Sequence, residues 1–145
     1  MHIVILAGGL ATRLRPLTEK IPKALIEVNG KPFIKWQLEY LSKQNIKNVV
    51  ISVGYLGEMI EEVVSSSDSF GLNIQYSFDG NELLGTGGAV KKAIPFFSDD
   101  FFIMYGDSYL PINFSYGRDF YQKTNKIALM TIINNRGMWD LSNVS

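Results

Sequence analysis

The 145-residue sequence contains no cysteine and a single histidine. The first absence removes disulfide stapling, thiol nucleophiles and thiolate metal sites. The second argues against histidine-based proton transfer or metal binding, because His2 sits in the opening strand. Excess charge is also missing. The 14 Lys and Arg residues balance 14 Asp and Glu residues, so the chain exerts no global attraction on nucleic acid or an anionic membrane. No apolar run is long enough to span a bilayer, and the first residues lack a charged n-region and cleavage site. Together these absences lead us to expect a cytoplasmic protein with neither nucleic acid nor membrane as partner. With 46% apolar residues, the length suits one domain with a real core.

What the sequence does contain is strands alternating with helices. Met1–Leu6 has the apolar run of a buried strand. Ala24–Val28 is a short apolar stretch that ends in the turn pair Asn29-Gly30. Pro32 suits a first helical turn, and Phe33, Ile34, Gln37, Leu38 and Leu41 keep helical spacing to about Gln44. Lys47–Val53 reads as a second strand, and Leu56, Met59, Ile60, Val63 and Val64 mark a second amphipathic helix. Asn73–Phe78 alternates as a third strand, Gly85 opens a helix to about Ile94, and Phe101–Tyr105 forms a fourth strand. A helix over Ser115–Lys123 and a fifth strand over Ile127–Ile133 are expected to follow. This order predicts an α/β fold with a mostly parallel sheet covered on both faces. Ligands in such sheets gather at the carboxyl ends of the strands. Gly8-Gly9, Gly85–Ala89 and Asp107 follow strands one, three and four, so all three fall on that rim.

The stretch Leu6–Lys23, LAGGLATRLRPLTEKIPK, has the parts needed to hold a string of phosphates. Gly8-Gly9 lets the backbone turn without a Cβ in the way, exposing N–H groups. Thr12 adds a hydroxyl, Arg13 a planar fork of donors, and Lys23 a compact charge on a long stem. Between residues 13 and 35, Arg13, Arg15, Lys20, Lys23, Lys31 and Lys35 face only Glu19 and Glu27. Neither familiar phosphate loop is present. GxxxxGK[ST] has no second Gly-Lys element here, and GxGxxG fails at Ala11 and Arg13. A plain turn with a solvated basic face is the competing reading.

Two further segments have both a functional and a structural reading. Gly85-Thr86-Gly87-Gly88 holds more glycine than helix propensity favours, each costing up to roughly 1 kcal/mol relative to Ala. Either something flat lies against it, or Thr86 caps the helix and the glycines permit close packing. Glu82, just upstream, could accept hydrogen bonds from a base such as guanine, or be a solvated loop acid. Asp107 ends an apolar strand as a lone carboxylate. A turn residue and a D-x-D glycosyltransferase site are alternatives, the latter weakened because Tyr109 occupies the second Asp position.

From Leu6 to Pro32 the chain reads LAGGLATRLRPLTEKIPKALIEVNGKP. This resembles the signature of the nucleotidyltransferases that make nucleotide sugars from a nucleoside triphosphate and a sugar 1-phosphate, roughly LAGGxGTRLxPLTxxxPKxLxxVxxKP. One departure is Ala11, which stands where the family usually has a third glycine. If that position needs positive φ, alanine costs stability there or phosphate affinity falls.

The resemblance implies a three-layer, Rossmann-like fold of the nucleotide-diphospho-sugar transferase type, incomplete at its C-terminus. It implies Mg²⁺ on Asp107, Arg13 on the β- and γ-phosphates, and Lys23 near the α-phosphorus. Leu6, Ala7, Gly8, Gly9 and Thr12 would then wrap the nucleotide, and Leu84, Gly85, Thr86 and Gly88 would contact base and ribose. The pattern is most like heptose or hexose 1-phosphate guanylyltransferases, which favours GTP, although enzymes using other bases share most of the motif. Family members are longer, and WDLSNVS at the end resembles the approach to another strand. A nucleotide-binding half with little turnover, and a non-catalytic binding module, are therefore both carried as alternatives. A homo-oligomer is left open.

Overall fold

The computed structural model describes residues 1–66 and 68–137. These residues fall into two compact units, one from Met1 to Ile112 and one beginning at Asn113.

In the first unit, β1 (His2–Leu6) lies inside a parallel sheet ordered β5 (Asn73–Phe78), β4 (Asn48–Val53), β1, β6 (Phe101–Tyr105). Its apolar, β-branched run suits a strand covered on both faces, and Ile3, Val4 and Ile5 are fully buried. The register aligns Leu6 with Ser52 on one side and Tyr105 on the other. Helix α1 (Phe33–Ser42) buries Ile34, Gln37, Leu38 and Leu41, the i, i+3, i+4, i+7 face of an amphipathic helix. Helix α2 (Gly57–Ser65) buries Ile60 and Val64. Helix α3 (Gly85–Ala93) packs on β1, β4 and β5, and its Ala93 joins Val4 and Val50 in a core cluster.

Parallel crossovers are right-handed, so β1–α1–β4 and β4–α2–β5 wind outward with their helices on one face of the sheet. The β5–α3–β6 crossover returns over the opposite face to the far side of β1. The winding therefore reverses between β1 and β6, the place where strand tips diverge and leave a crevice. A small hairpin, β2 (Glu27–Val28) with β3 (Lys31–Pro32), precedes α1. Asn29 and Gly30 make its turn at φ 57° and 72°, the backbone a two-residue hairpin requires. Trp36 in α1 anchors it by donating from Nε1 to the Val28 carbonyl at 2.9 Å.

The second unit contains α4 (Phe114–Gln122), whose N-cap Asn113 accepts the Tyr116 N–H at 2.9 Å. The strand expected over Ile127–Ile133 does not form. Ile127 is 101% exposed and Ile133 77% exposed. An apolar run becomes a strand only where a neighbouring strand takes its hydrogen bonds and something covers its side chains. Among the described residues of this unit no strand is available to pair with it. The WDLSNVS segment lies outside the described residues. No helix among the described residues is long and apolar enough to cross a membrane.

Candidate active site

The strand tips are laced together by the backbone. Ala7 donates its N–H to the Ser52 carbonyl, Asp79 to Val53 and Gly106 to Leu6, each at 2.8 Å. Such close approach excludes side chains. A Cβ on Gly8 would lie 3.0 Å from the Gly54 nitrogen, and one on Gly54 would lie 2.8 Å from the Gly8 oxygen. Above the tips opens a cleft of about 310 Å³. That is at the lower end of the range for small-molecule sites, roughly 300–1,000 Å³.

Leu6, Ala7, Gly8, Gly9, Arg13, Lys23, Gly85, Thr86 and Asp107, all expected from the sequence, line this one cleft. Thr12, Leu84 and Gly88 are not among its lining residues. Thr12 begins a short 3₁₀ turn, and Leu84 is the N-cap residue of α3. A Cβ on Gly88 would lie 2.8 Å from Leu84 Cβ, so that glycine makes room for Leu84. Thr86 makes no side-chain cap for α3. Gly9, in contrast, meets nothing within 4 Å and leaves backbone open.

The charged end of the cleft is built from β6 and the loop after β1. Lys23 Nζ donates to Asp107 Oδ2 at 2.9 Å, and both side chains remain about two-fifths exposed. Burial pulls the Asp107 carboxyl upward, but the hydrogen bond and charge of Lys23, with the Ser108 hydroxyl, outweigh it and hold the pKa below its ordinary value. The carboxylate is thus charged at neutral pH. Between the glycine pair and Arg13, Ala11 has φ 49° and ψ 43°, so the position of the missing third glycine is left-handed. Buried Thr18 secures it by donating from Oγ1 to the Ala11 carbonyl at 2.9 Å.

Several cleft residues were not singled out from the sequence, above all Asp79 and Ser52. Asp79 follows β5 directly, and its Oδ2 accepts the Leu84 N–H at 3.2 Å. Its carbonyl accepts from Lys92 Nζ at 3.2 Å, while Oδ1 has no partner among the described residues. Ser52, at the end of β4, is buried with its Oγ unpartnered. The strand-end rule that singled out Asp107 applies equally to Asp79, one residue past Phe78. Glu82, the acid considered for base contact, is exposed and outside the lining. Strands lie about 4.8 Å apart, so the tips of β5 and β6 are separated by three spacings, roughly 14 Å. The cleft therefore runs from Asp79, with the Lys92 ammonium on its carbonyl, to the Lys23–Asp107 pair past β6, and Arg13 also lines it.

A family model described as nucleotidyl transferase matches residues 2–137. The D-glycero-alpha-D-manno-heptose 1-phosphate guanylyltransferase of Campylobacter jejuni is 40% identical over 115 residues, 79% of this chain and 51% of that protein. The UTP–glucose-1-phosphate uridylyltransferase of Synechocystis is 33% identical over 139 residues, 88% of this chain and 36% of that protein. Among solved structures, HddC from Yersinia pseudotuberculosis complexed with GMP-PN superposes with a TM-score of 0.77 at 32% identity, covering 84% of this chain and 54% of that one. The chain spans about half or less of the length of these proteins. With the parallel sheet, the glycine-laced tips and a match over nearly all its residues, the chain belongs to the nucleotidyl transferase family.

Proposed function

We propose that this chain binds a nucleoside triphosphate, with GTP preferred, for transfer of its nucleoside monophosphate to a sugar 1-phosphate. The observation that carries the reading is that one cleft is lined by Arg13, Lys23, Asp107 and Asp79 together with the glycine-laced strand tips. Arg13 and Lys23 both line the cleft and suit phosphate oxygens, Lys23 standing beside Asp107 past β6. Asp79, past β5, is an acceptor-only carboxylate whose Oδ1 suits a base edge that offers N–H donors. Guanine offers two adjacent donors, N1–H and the 2-amino group, to one carboxylate. Uracil and thymine offer one N–H flanked by carbonyl oxygens, which a carboxylate disfavours. The guanylyltransferase names of several relatives support the same base.

In the proposed reaction a phosphate oxygen of the sugar 1-phosphate attacks the α-phosphorus in line. One P–O bond forms as the bond to the β-phosphate oxygen breaks, and pyrophosphate leaves. Catalysis rests on positioning and charge neutralisation rather than on a protein nucleophile. Arg13 would hold the β- and γ-phosphates and the leaving pyrophosphate, and Lys23 the oxygens around the α-phosphorus. Backbone groups of Leu6 to Gly9, with Gly85 and Thr86, would enclose base and ribose.

The residues at the phosphate end fit Mg²⁺. Asp107 supplies one charged hard oxygen ligand at the cleft edge beside Lys23, and no group of three or more His, Cys, Asp or Glu forms among the described residues, so phosphate oxygens and water would have to complete the shell. Mg²⁺ takes one or two carboxylates and completes its shell with water and phosphate oxygens. When bound it would neutralise charge that builds on the phosphates. The single carboxylate at this end also favours binding without efficient turnover as a second reading, which a pyrophosphate-release assay with sugar 1-phosphates distinguishes.

The test is a thermal-shift series with GTP, UTP, CTP and dTTP, each with and without Mg²⁺. The largest rise is expected with GTP and Mg²⁺, and no rise with any triphosphate would refute nucleotide binding.

A further inference from the structure

Helix α1 presents an apolar face to the sheet, yet one residue in that face is an amide. Gln37 stands among Ile34, Leu38 and Leu41 and is 1% exposed. Its Nε2 donates twice, to the Tyr105 carbonyl at 3.1 Å and to the Ser108 carbonyl at 2.8 Å. Those two carbonyls bracket Asp107. The opposite orientation of the amide would set Oε1 against both carbonyl oxygens, so the donors alone account for the residue. Oε1 itself is buried without a partner. An apolar side chain would avoid leaving that oxygen unpaired, and the core packing of α1 gives no reason for glutamine.

The Tyr105–Ser108 turn is thus held from two sides. From β1, the Leu6 carbonyl accepts the Gly106 N–H at 2.8 Å. From α1, Gln37 grips the carbonyls before and after Asp107. One helical turn further on, Tyr40 donates from its hydroxyl to the Ile112 carbonyl at 2.8 Å, a bond to the same loop but outside the bracket. The Ser108 N–H also closes the turn on the Tyr105 carbonyl at 3.1 Å, and the Gln37 bonds are the side-chain contacts that hold the carbonyls on both sides of Asp107.

We propose that Gln37 is a positioning residue for Asp107: by clamping the carbonyls of Tyr105 and Ser108 it fixes the carboxylate where a divalent cation on a bound triphosphate must meet it. This rests on the nucleotide and Mg²⁺ reading given above. A carboxylate whose backbone can shift still carries its charge but no longer meets the cation at fixed distance. Loss of such outer supports weakens metal binding by about 10- to 100-fold.

Calorimetric titration of the 145-residue chain with GTP, in EDTA and in excess Mg²⁺, separates the two contributions. In the wild type the gain from Mg²⁺ measures the Asp107 site. Gln37→Met keeps the side-chain length and removes both donors, and should cut that gain about tenfold while metal-free GTP affinity stays within about twofold. Gln37→Leu, likewise without a donor, should lose the same gain and serves if the Met variant does not fold. Tyr40→Phe, which gives up the hydroxyl bond to the Ile112 carbonyl outside the bracket, should retain the gain. An undiminished gain in a folded Gln37 variant would overturn the proposal, as would parallel losses with and without metal. A wild type that gains nothing from Mg²⁺, or binds no GTP, would instead remove the reading beneath it.

Discussion

Lys23 Nζ sits 2.9 Å from Asp107 Oδ2, joining two residues 84 positions apart in the chain. The pair links the long loop after β1 to the tip of β6, across the point where the sheet reverses its winding. Half-exposed ion pairs stabilise little, with a typical contribution of about 0–1 kcal/mol. Its consequence is therefore expected in ligand binding. Lys23→Ala should leave the melting temperature almost unchanged and weaken binding of Mg²⁺–GTP by about tenfold, the loss of one charge-assisted hydrogen bond of about 1.4 kcal/mol. Calorimetry on both proteins checks this, and a large stability loss with unchanged affinity would reverse the assignment.

Asp79 is expected to decide the base. Asp79→Asn replaces two acceptors by one acceptor and one donor, which matches the alternating edge of uracil better than the donor pair of guanine. GTP affinity should fall by about tenfold and UTP affinity should rise, because a mismatched polar pair costs on the order of 1–3 kcal/mol. Competition between the two nucleotides on wild type and variant reads the change. Equal losses for both would mean that Asp79 shapes the cleft without reading the base.

Ala11 occupies a left-handed backbone position, φ 49°, that costs an alanine roughly 1–2 kcal/mol. Ala11→Gly should therefore stabilise the chain by about 1 kcal/mol, a rise of about 3 °C in Tm for a protein of this size. Thermal denaturation measures it. No rise, or a fall, would show that the methyl group's contacts outweigh the backbone strain.

Glu39 gives a pH dependence. Hydrogen bonds from Lys31 and then Lys43, reinforced by their charges, lower its pKa from 4.5 to about 2. A carboxyl depressed in the folded state stabilises the chain fully above its unfolded pKa and loses that contribution as pH falls through the folded value. Stability should thus decline between about pH 4.5 and 2 by an amount that Glu39→Gln abolishes. Melting curves across that window, compared between wild type and variant, test it.

Much of this fold was legible in the sequence because each buried element carries a strict period. The strand limits at Asn73–Phe78 and Phe101–Tyr105 agree with the structure to the residue, and α1, α2 and α3 differ by one or two residues at their ends. Gly8, Gly9, Gly85, Thr86 and Asp107 line one cleft, as the rim argument expects, since a parallel sheet brings strand tips to one edge whatever their distance in sequence. Two things were hidden. Ile127–Ile133 has strand composition, but pairing and cover come from the rest of the molecule and not from the run itself. Asp79 and Gln37 carry no motif. One is a single acid at a strand end, and the other looks like any helical position until its amide is seen between two carbonyls.

The most direct test of the central claim is a crystal structure of the chain with a non-hydrolysable GTP analogue and Mg²⁺. The account predicts a guanine edge within hydrogen-bond reach of the Asp79 carboxylate, phosphates against Arg13 and Lys23, and the cation on Asp107. A triphosphate bound outside the cleft, or lying in it with its phosphates at the Asp79 end, would contradict the account.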